Sequence, residues 1–133
     1  MRHTIRDCMG QALRHLPRHP EYELHGYIHY SFIIQAGRIL SMGINRRAEP
    51  EEWFGYPDNS SMHSEYVAWT KAKSMINANI SFQVVNFRLN RQGEMRNSKP
   101  CGCCMQFLKN LGCDKVWFTT AHGAIVKMNF KEI

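Results

Sequence analysis

The stretch YIHYSFIIQAGRILSMGI, residues 27–44, reads as two β-strands and the turn that joins them. Tyr27–Gln35 is rich in aromatic and β-branched residues, and Ile28, Tyr30, Phe32 and Ile34 fall on one face. Ala36-Gly37 makes a short turn, and Arg38–Ile44 runs back. Upstream, Ile5, Cys8, Met9, Ala12, Leu13 and Leu16 recur at helical spacing as one apolar stripe, which Pro17 and Pro20 bring to an end. Downstream lies a long loop from Asn45 to Ser61, holding Pro50, Gly55 and Pro57 together with Trp53, Phe54 and Tyr56. A second helix starts near Ser60 or Ser61, either of which suits an N-cap, and fades near Asn77. A third strand over 80–89 leads to the polar turn at 90–93, and a third helix runs from Cys101 to about Leu111, stopping at Gly112. Two further strands, 115–120 and 124–130, are separated by Ala121-His122-Gly123. The order α-ββ-α-β-α-ββ predicts a sheet covered by helices, an α/β protein built as a three-layer α/β/α sandwich. With 133 residues and no internal repeat or linker, residues 1–133 are expected to form a single domain.

The composition, 44% hydrophobic and 21% charged, is that of a globular protein rather than a disordered tail. Net charge is +6 and the pI about 9.2, an excess that suits polyanions or phosphorylated small molecules and equally suits plain solubility. No apolar run fits a signal peptide or the roughly 20 residues of a membrane span, so the expected compartment is cytoplasmic. The five cysteines are odd in number, and Cys101, Cys103 and Cys104 crowd into four positions. Such clustering reads as metal ligation in a reducing compartment better than as a disulfide framework.

Two motifs carry chemistry. His63-Ser64-Glu65 and Pro100-Cys101-Gly102-Cys103-Cys104 each sit at an expected loop-to-helix junction. Cys101 and Cys104 are i and i+3, so they share one face of a helical turn and can grip one ion. The helix N-terminus favours their thiolate forms, and Pro100 suits the entry to that helix. Zinc binds thiolate and imidazole tetrahedrally, and a catalytic site leaves one position for water. His63 is then the third ligand and Glu65 the carboxylate that moves protons. Both reach one site only if they project from the helix tip. Pairing Cys101 with Cys103 would break the i, i+3 geometry, which assigns Cys104. Taken singly, each piece has a plainer role: His63 as a capping or surface histidine, Glu65 as a first-turn carboxylate, the cysteines as a redox pair or half of a structural zinc site. Cys8 and Cys113 form no second C-x-x-C and read as core thiols.

The conjunction H-x-E…P-C-x-x-C is the signature of zinc nucleobase deaminases, and the chain resembles the cytidine deaminase superfamily over nearly its whole length. The resemblance implies a five-stranded mixed sheet with helices on both faces. It implies one Zn²⁺ per chain on His63, Cys101 and Cys104, and Glu65 as the proton shuttle. Ser64 stands where the family has alanine, a small-for-small change. Gly43-Ile44-Asn45 matches a G-x-N element whose asparagine bonds the sugar of a nucleoside, although Asn45 is equally a turn residue beside Gly43. Three residues between the last two strands leave no room for a crossover helix, so the chain resembles the branch that ends in an antiparallel hairpin. That branch includes free cytidine deaminases and blasticidin-type deaminases, and also toxin-like or phage-like enzymes acting on polynucleotides.

The expected reaction is hydrolytic conversion of cytosine to uracil, at a C–N bond of a cyclic amidine. Single-stranded DNA or RNA is the favoured substrate, because single-strand binders combine basic grooves with stacking aromatics. Trp53 and Phe54 supply aromatics, or else pack the loop onto the domain. Arg46, Arg47, Arg88, Arg91, Arg96 and Lys99 are expected in loops around the pocket. The alternative is a free cytidine, deoxycytidine or dCMP deaminase, a class that often forms tetramers, so an oligomer is compatible with it. A third class is a non-catalytic zinc-stabilised nucleic-acid-binding module. No membrane partner is expected.

Overall fold

The computed structural model describes residues 2–16, 27–47, 61–90 and 92–130. Helix α1 spans Arg2–His15 and is followed by strands β1 (Tyr27–Gln35) and β2 (Arg38–Ile44). Two-residue strands β3 (Arg46–Arg47) and β4 (Ser61–Met62) come next, then helix α2 (Ser64–Ala72) and strand β5 (Phe82–Asn90). The chain continues through β6 (Met95–Arg96), helix α3 (Gly102–Asn110), β7 (Cys113–Thr119) and β8 (Ile125–Asn129).

The main sheet has the order β2-β1-β5-β7-β8, the mixed five-strand arrangement expected, and short β6 adds a sixth strand beside β5. Pairing is antiparallel throughout except between β5 and β7. The β7–β8 pair is antiparallel, as a five-residue connection requires, and Thr120 N–H donates to Ala124 O across the turn. Ala36 and Gly37 have φ of 51° and 76°, the double positive φ of a type I′ hairpin turn.

Alternation in the two central strands makes the three layers. Ile28, Tyr30, Phe32 and Ile34 of β1 join Val85, Phe87 and Leu89 of β5 beneath Ile5, Cys8 and Ala12 of α1 and Leu16 just past its end. Ile33 and Val84 face the other way, against Ala68 and Ala72 of α2 and Leu108 of α3. Leu13, expected on the α1 stripe, is instead 41% exposed; it sits at the stripe's border, where helical drift turns it off the sheet. The Tyr30 ring is fully buried, and its hydroxyl meets His15 Nδ1 at 2.8 Å, while Thr4 Oγ1 donates to Gly37 O at 3.0 Å. These bonds pin both ends of α1. Burial drives the Cys8 thiol up to about 12 and raises Cys113 as well, as inert core thiols behave.

Several boundaries differ from the sequence reading. The loop after β2 does not stay irregular to its end, because β3 and β4 close its base as an antiparallel ribbon. The second helix begins at Ser64 with His63 as N-cap, since Ser61 is held in β4. It ends at Ala72, which leaves Met75 beyond it in a turn and 53% exposed.

Candidate active site

His63 has extended backbone (φ −72°, ψ 148°) and Glu65 lies in the first turn of α2. The change from strand to helix between them sends both side chains off the helix tip. An N-cap position thus removes the difficulty that i and i+2 diverge on a regular helix. Cys101 is likewise the N-cap of α3, with φ −67° and ψ 167°, and its sulfur accepts from Cys104 N–H at 3.4 Å. His63 Nδ1 lies 3.2 Å from Cys104 Sγ and 3.5 Å from Cys101 Sγ. The three donor atoms lie within 4.8 Å of one another, and Cys103 is outside the group. Tetrahedral zinc with Zn–N near 2.0–2.1 Å and Zn–S near 2.3 Å separates its nitrogen and sulfur ligands by about 3.5 Å. Donor chemistry and spacing both fit that ion.

Beside the triangle is a cavity of about 290 Å³, near the lower end of the range for small-molecule sites. Glu65, His63 and Cys101 form its wall toward α2 and α3. Tyr27, His29 and Asn45 form the wall toward the sheet, and Lys99 stands beside them. Glu65 is 5% exposed; its Oε2 accepts from Asn86 Nδ2 at 3.0 Å and its Oε1 lies 3.3 Å from Ser64 Oγ. Ser64 is more than a small residue in an alanine's place: it is buried, with its hydroxyl 2.7 Å from Ser31 Oγ. Asn45 Oδ1 accepts from His29 N–H at 3.0 Å, and its amide nitrogen has no hydrogen-bond partner among the described residues.

The sheet-side wall is layered. The Arg88 guanidinium lies 3.8 Å from the Tyr27 ring centroid, and Tyr27 meets the His29 ring edge-on at 5.6 Å. Burial, with Arg88 and His63 nearby, pushes the His29 imidazole down to about 4, so it is neutral at physiological pH. Of the basic residues expected around the pocket, Lys99 lines it and Arg88 braces its wall from within a strand rather than a loop. Arg96 is exposed in β6, paired with Glu94 at 3.5 Å. Arg46 and Arg47 are placed by their backbone in β3, one residue past Asn45. Trp53, Phe54 and Arg91 lie outside the described residues.

The fold matches that of solved structures. A cytidine deaminase from Burkholderia pseudomallei superposes with a TM-score of 0.56 at 17% identity, covering 93% of this chain and 91% of that one. A dCMP deaminase from the cyanophage S-TIM5, in apo form, gives 0.53 at 15% identity, covering 87% and 82%. The chain has the cytidine deaminase fold. Within that fold, ligand-type residues from two helix starts meet at one cavity over the sheet. No protein-family model matches the chain, and no curated relative matches it either.

Asn86, Ser31, Ser98, Tyr27 and His29 were not singled out from the sequence. A signal was present for two of them. Ser31 and Asn86 are polar residues on the strand face opposite the one toward α1, and a three-layer sandwich buries both faces of its central strands, so an apolar side chain is expected there as well.

Proposed function

We propose that this protein is a zinc-dependent hydrolytic deaminase that converts cytosine to uracil. The observation that carries the reading is a His-Cys-Cys donor triangle and a buried carboxylate, Glu65, on the wall of one small cavity. His63 Nδ1, Cys101 Sγ and Cys104 Sγ would hold the ion, and zinc bound there supplies Lewis-acid activation of water near neutral pH. Glu65 accepts a proton from the attacking water and delivers it to ring N3. The second water proton goes to the amino group, the C4–N bond breaks, ammonia leaves, and the oxygen stays as the uracil carbonyl. Asn45 offers its amide nitrogen to the sugar. His29, held neutral, offers a hydrogen bond without adding charge.

The substrate we favour is cytosine in single-stranded DNA or RNA. Lys99 at the cavity, the +6 charge and the placement of Arg46 and Arg47 next to Asn45 support a polyanion that continues past the site. The second reading, a free nucleotide or nucleoside, draws support from the two superposed enzymes, a dCMP deaminase and a cytidine deaminase. Single-stranded DNA, RNA, cytidine and dCMP incubated side by side with the zinc-loaded protein, scored for uracil by mass spectrometry, separate the two. Uracil in the oligonucleotides and a duplex converted more slowly are expected. Turnover of dCMP or cytidine alone would move the chain to nucleotide salvage. No ammonia from any of the four, with zinc tightly held, would leave a non-catalytic zinc module. In the active case, Glu65→Ala is expected to keep zinc and lose at least about 100-fold in turnover.

A further inference from the structure

Behind the catalytic carboxylate lies a row of buried polar side chains, Ser64, Ser31 and Asn86, of which Ser64 lines the cavity and the other two do not. Ser31 and Asn86 face each other across β1 and β5 and are 0% and 3% exposed. The Asn86 amide nitrogen donates to Glu65 Oε2 at 3.0 Å and to Ser98 O at 3.2 Å. A carboxylate and a main-chain carbonyl can only accept, so the amide has one orientation, with its nitrogen toward Glu65. Its oxygen takes the Ser31 hydroxyl hydrogen at 2.6 Å. With that hydrogen committed, Ser31 can only accept from Ser64, whose hydroxyl is 2.7 Å away. Ser64 has one hydrogen for two acceptors, Ser31 Oγ at 2.7 Å and Glu65 Oε1 at 3.3 Å, and the shorter contact takes it. The donors then run in one direction, Ser64 to Ser31 to Asn86 to Glu65, and each bond polarises the next.

We infer that Asn86 is a positioning residue: it locks Glu65 through Oε2, backed by Ser31 and Ser64, and leaves Oε1 as the oxygen through which protons pass. The inference rests on the deaminase reading for its catalytic consequence and on the hydrogen-bond geometry for its structural part. A freely rotating carboxylate would spend part of its time out of reach of the reacting atoms, a loss felt in kcat rather than in substrate binding.

The test is Asn86→Asp, which keeps the shape and replaces both N–H donors by oxygen. The zinc-loaded variant is expected to lose about 10- to 100-fold in kcat, the worth of one hydrogen bond to a charged group, with KM and zinc content unchanged. In a Glu65→Ala background the same substitution should cost nothing further, because Asn86 acts only through Glu65. Ser31→Ala, milder, should show the same signature at smaller size and carries the kinetic test if Asn86→Asp does not fold. Independently of turnover, the Asn86 side-chain amide resonance of the wild-type protein should shift on Glu65→Ala. A folded, zinc-loaded Asn86→Asp protein with wild-type kcat, a change confined to KM, or an amide resonance indifferent to Glu65→Ala would overturn the inference. Absence of deaminase activity in the wild type would instead remove the proposed function, and the resonance would still decide whether Asn86 holds Glu65.

Discussion

Gly43→Ala tests how the sheet sets the position of α2. A Cβ built on Gly43 meets the Ala68 backbone nitrogen, and comes within 2.6 Å of Ser64 O and 2.8 Å of Ala68 Cα. Ordinary carbon contacts sit near 3.5–4.0 Å, so α2 would have to retreat by roughly 1 Å. None of the three obstacles is a side-chain tip that could swing aside. Ser41 Oγ donating to Ala68 O at 2.6 Å, and Lys71 Nζ donating to Met42 O at 3.1 Å, bind the same two elements together and resist the retreat. The cost should therefore reach the top of the usual overpacking range, about 3 kcal/mol. At a urea m-value of about 1–3 kcal/mol/M, that lowers the unfolding midpoint by at least about 1 M. His63 and Glu65 ride on the helix start, so zinc affinity and turnover should fall as well, turnover by about 100-fold for a 1 Å displacement. Urea unfolding followed by circular dichroism, with metal analysis on the same samples, is the assay. A Gly43→Ala protein with the wild-type midpoint and full zinc would show that β2 and α2 are not held at this separation.

Cys104→Ser should lose the metal and much stability, because zinc binding is coupled to folding, while Cys103→Ser should retain one zinc per chain by elemental analysis; the reverse pattern would reject the ligand set. Ala36 occupies a left-handed position that favours asparagine or glycine, so Ala36→Asn should raise thermal stability by about 1 kcal/mol, read by calorimetry, and an unchanged or lowered melting point would contradict the turn assignment. The folded His29 imidazole titrates near 4 against an ordinary 6.5, so between those values the unfolded chain binds the extra proton and stability falls as pH drops. The interval corresponds to up to about 3 kcal/mol, and His29→Gln should flatten this part of the stability–pH curve; an equally steep fall in the variant would place the effect elsewhere.

Much of this site was legible because its chemistry lies in short segments. His63, Glu65, Cys101 and Cys104 are close pairs at helix starts, where spacing alone constrains geometry. The strands were legible because β1 and β5 alternate cleanly toward α1. Asn86 and Ser31 were not found, since their meaning depends on the pairing of β1 with β5, a contact 55 residues apart along the chain. The start of α2 was misplaced because two serines offered a better N-cap than histidine, while β4 takes Ser61 into strand pairing. A propensity gave way to a tertiary contact. The basic surface was readable as a sum of charges, but Arg88 turned out to stack on Tyr27 inside a strand, which no count of charges reveals.

Beyond Val85 and Trp117 the parallel strands β5 and β7 part, and Ser98 fills the fork. Its N–H donates to Thr119 O, its hydroxyl donates to Asn86 O, and that hydroxyl also accepts from Thr119 N–H. One serine thereby stands in for a missing rung between two strands. The segment leading into α3 is indexed to the sheet by Ser98, whose N–H bonds the main chain of β7 and whose hydroxyl bonds the main chains of both strands, three residues before Cys101. Chain length consequently matters very unevenly around the fork. A residue inserted into the exposed turn at Gln92 would be absorbed before Met95 and leave Ser98 seated. The same insertion at Lys99 or Pro100 would turn the start of α3 away from His63 and Glu65, with every side chain of the triangle still present in the sequence.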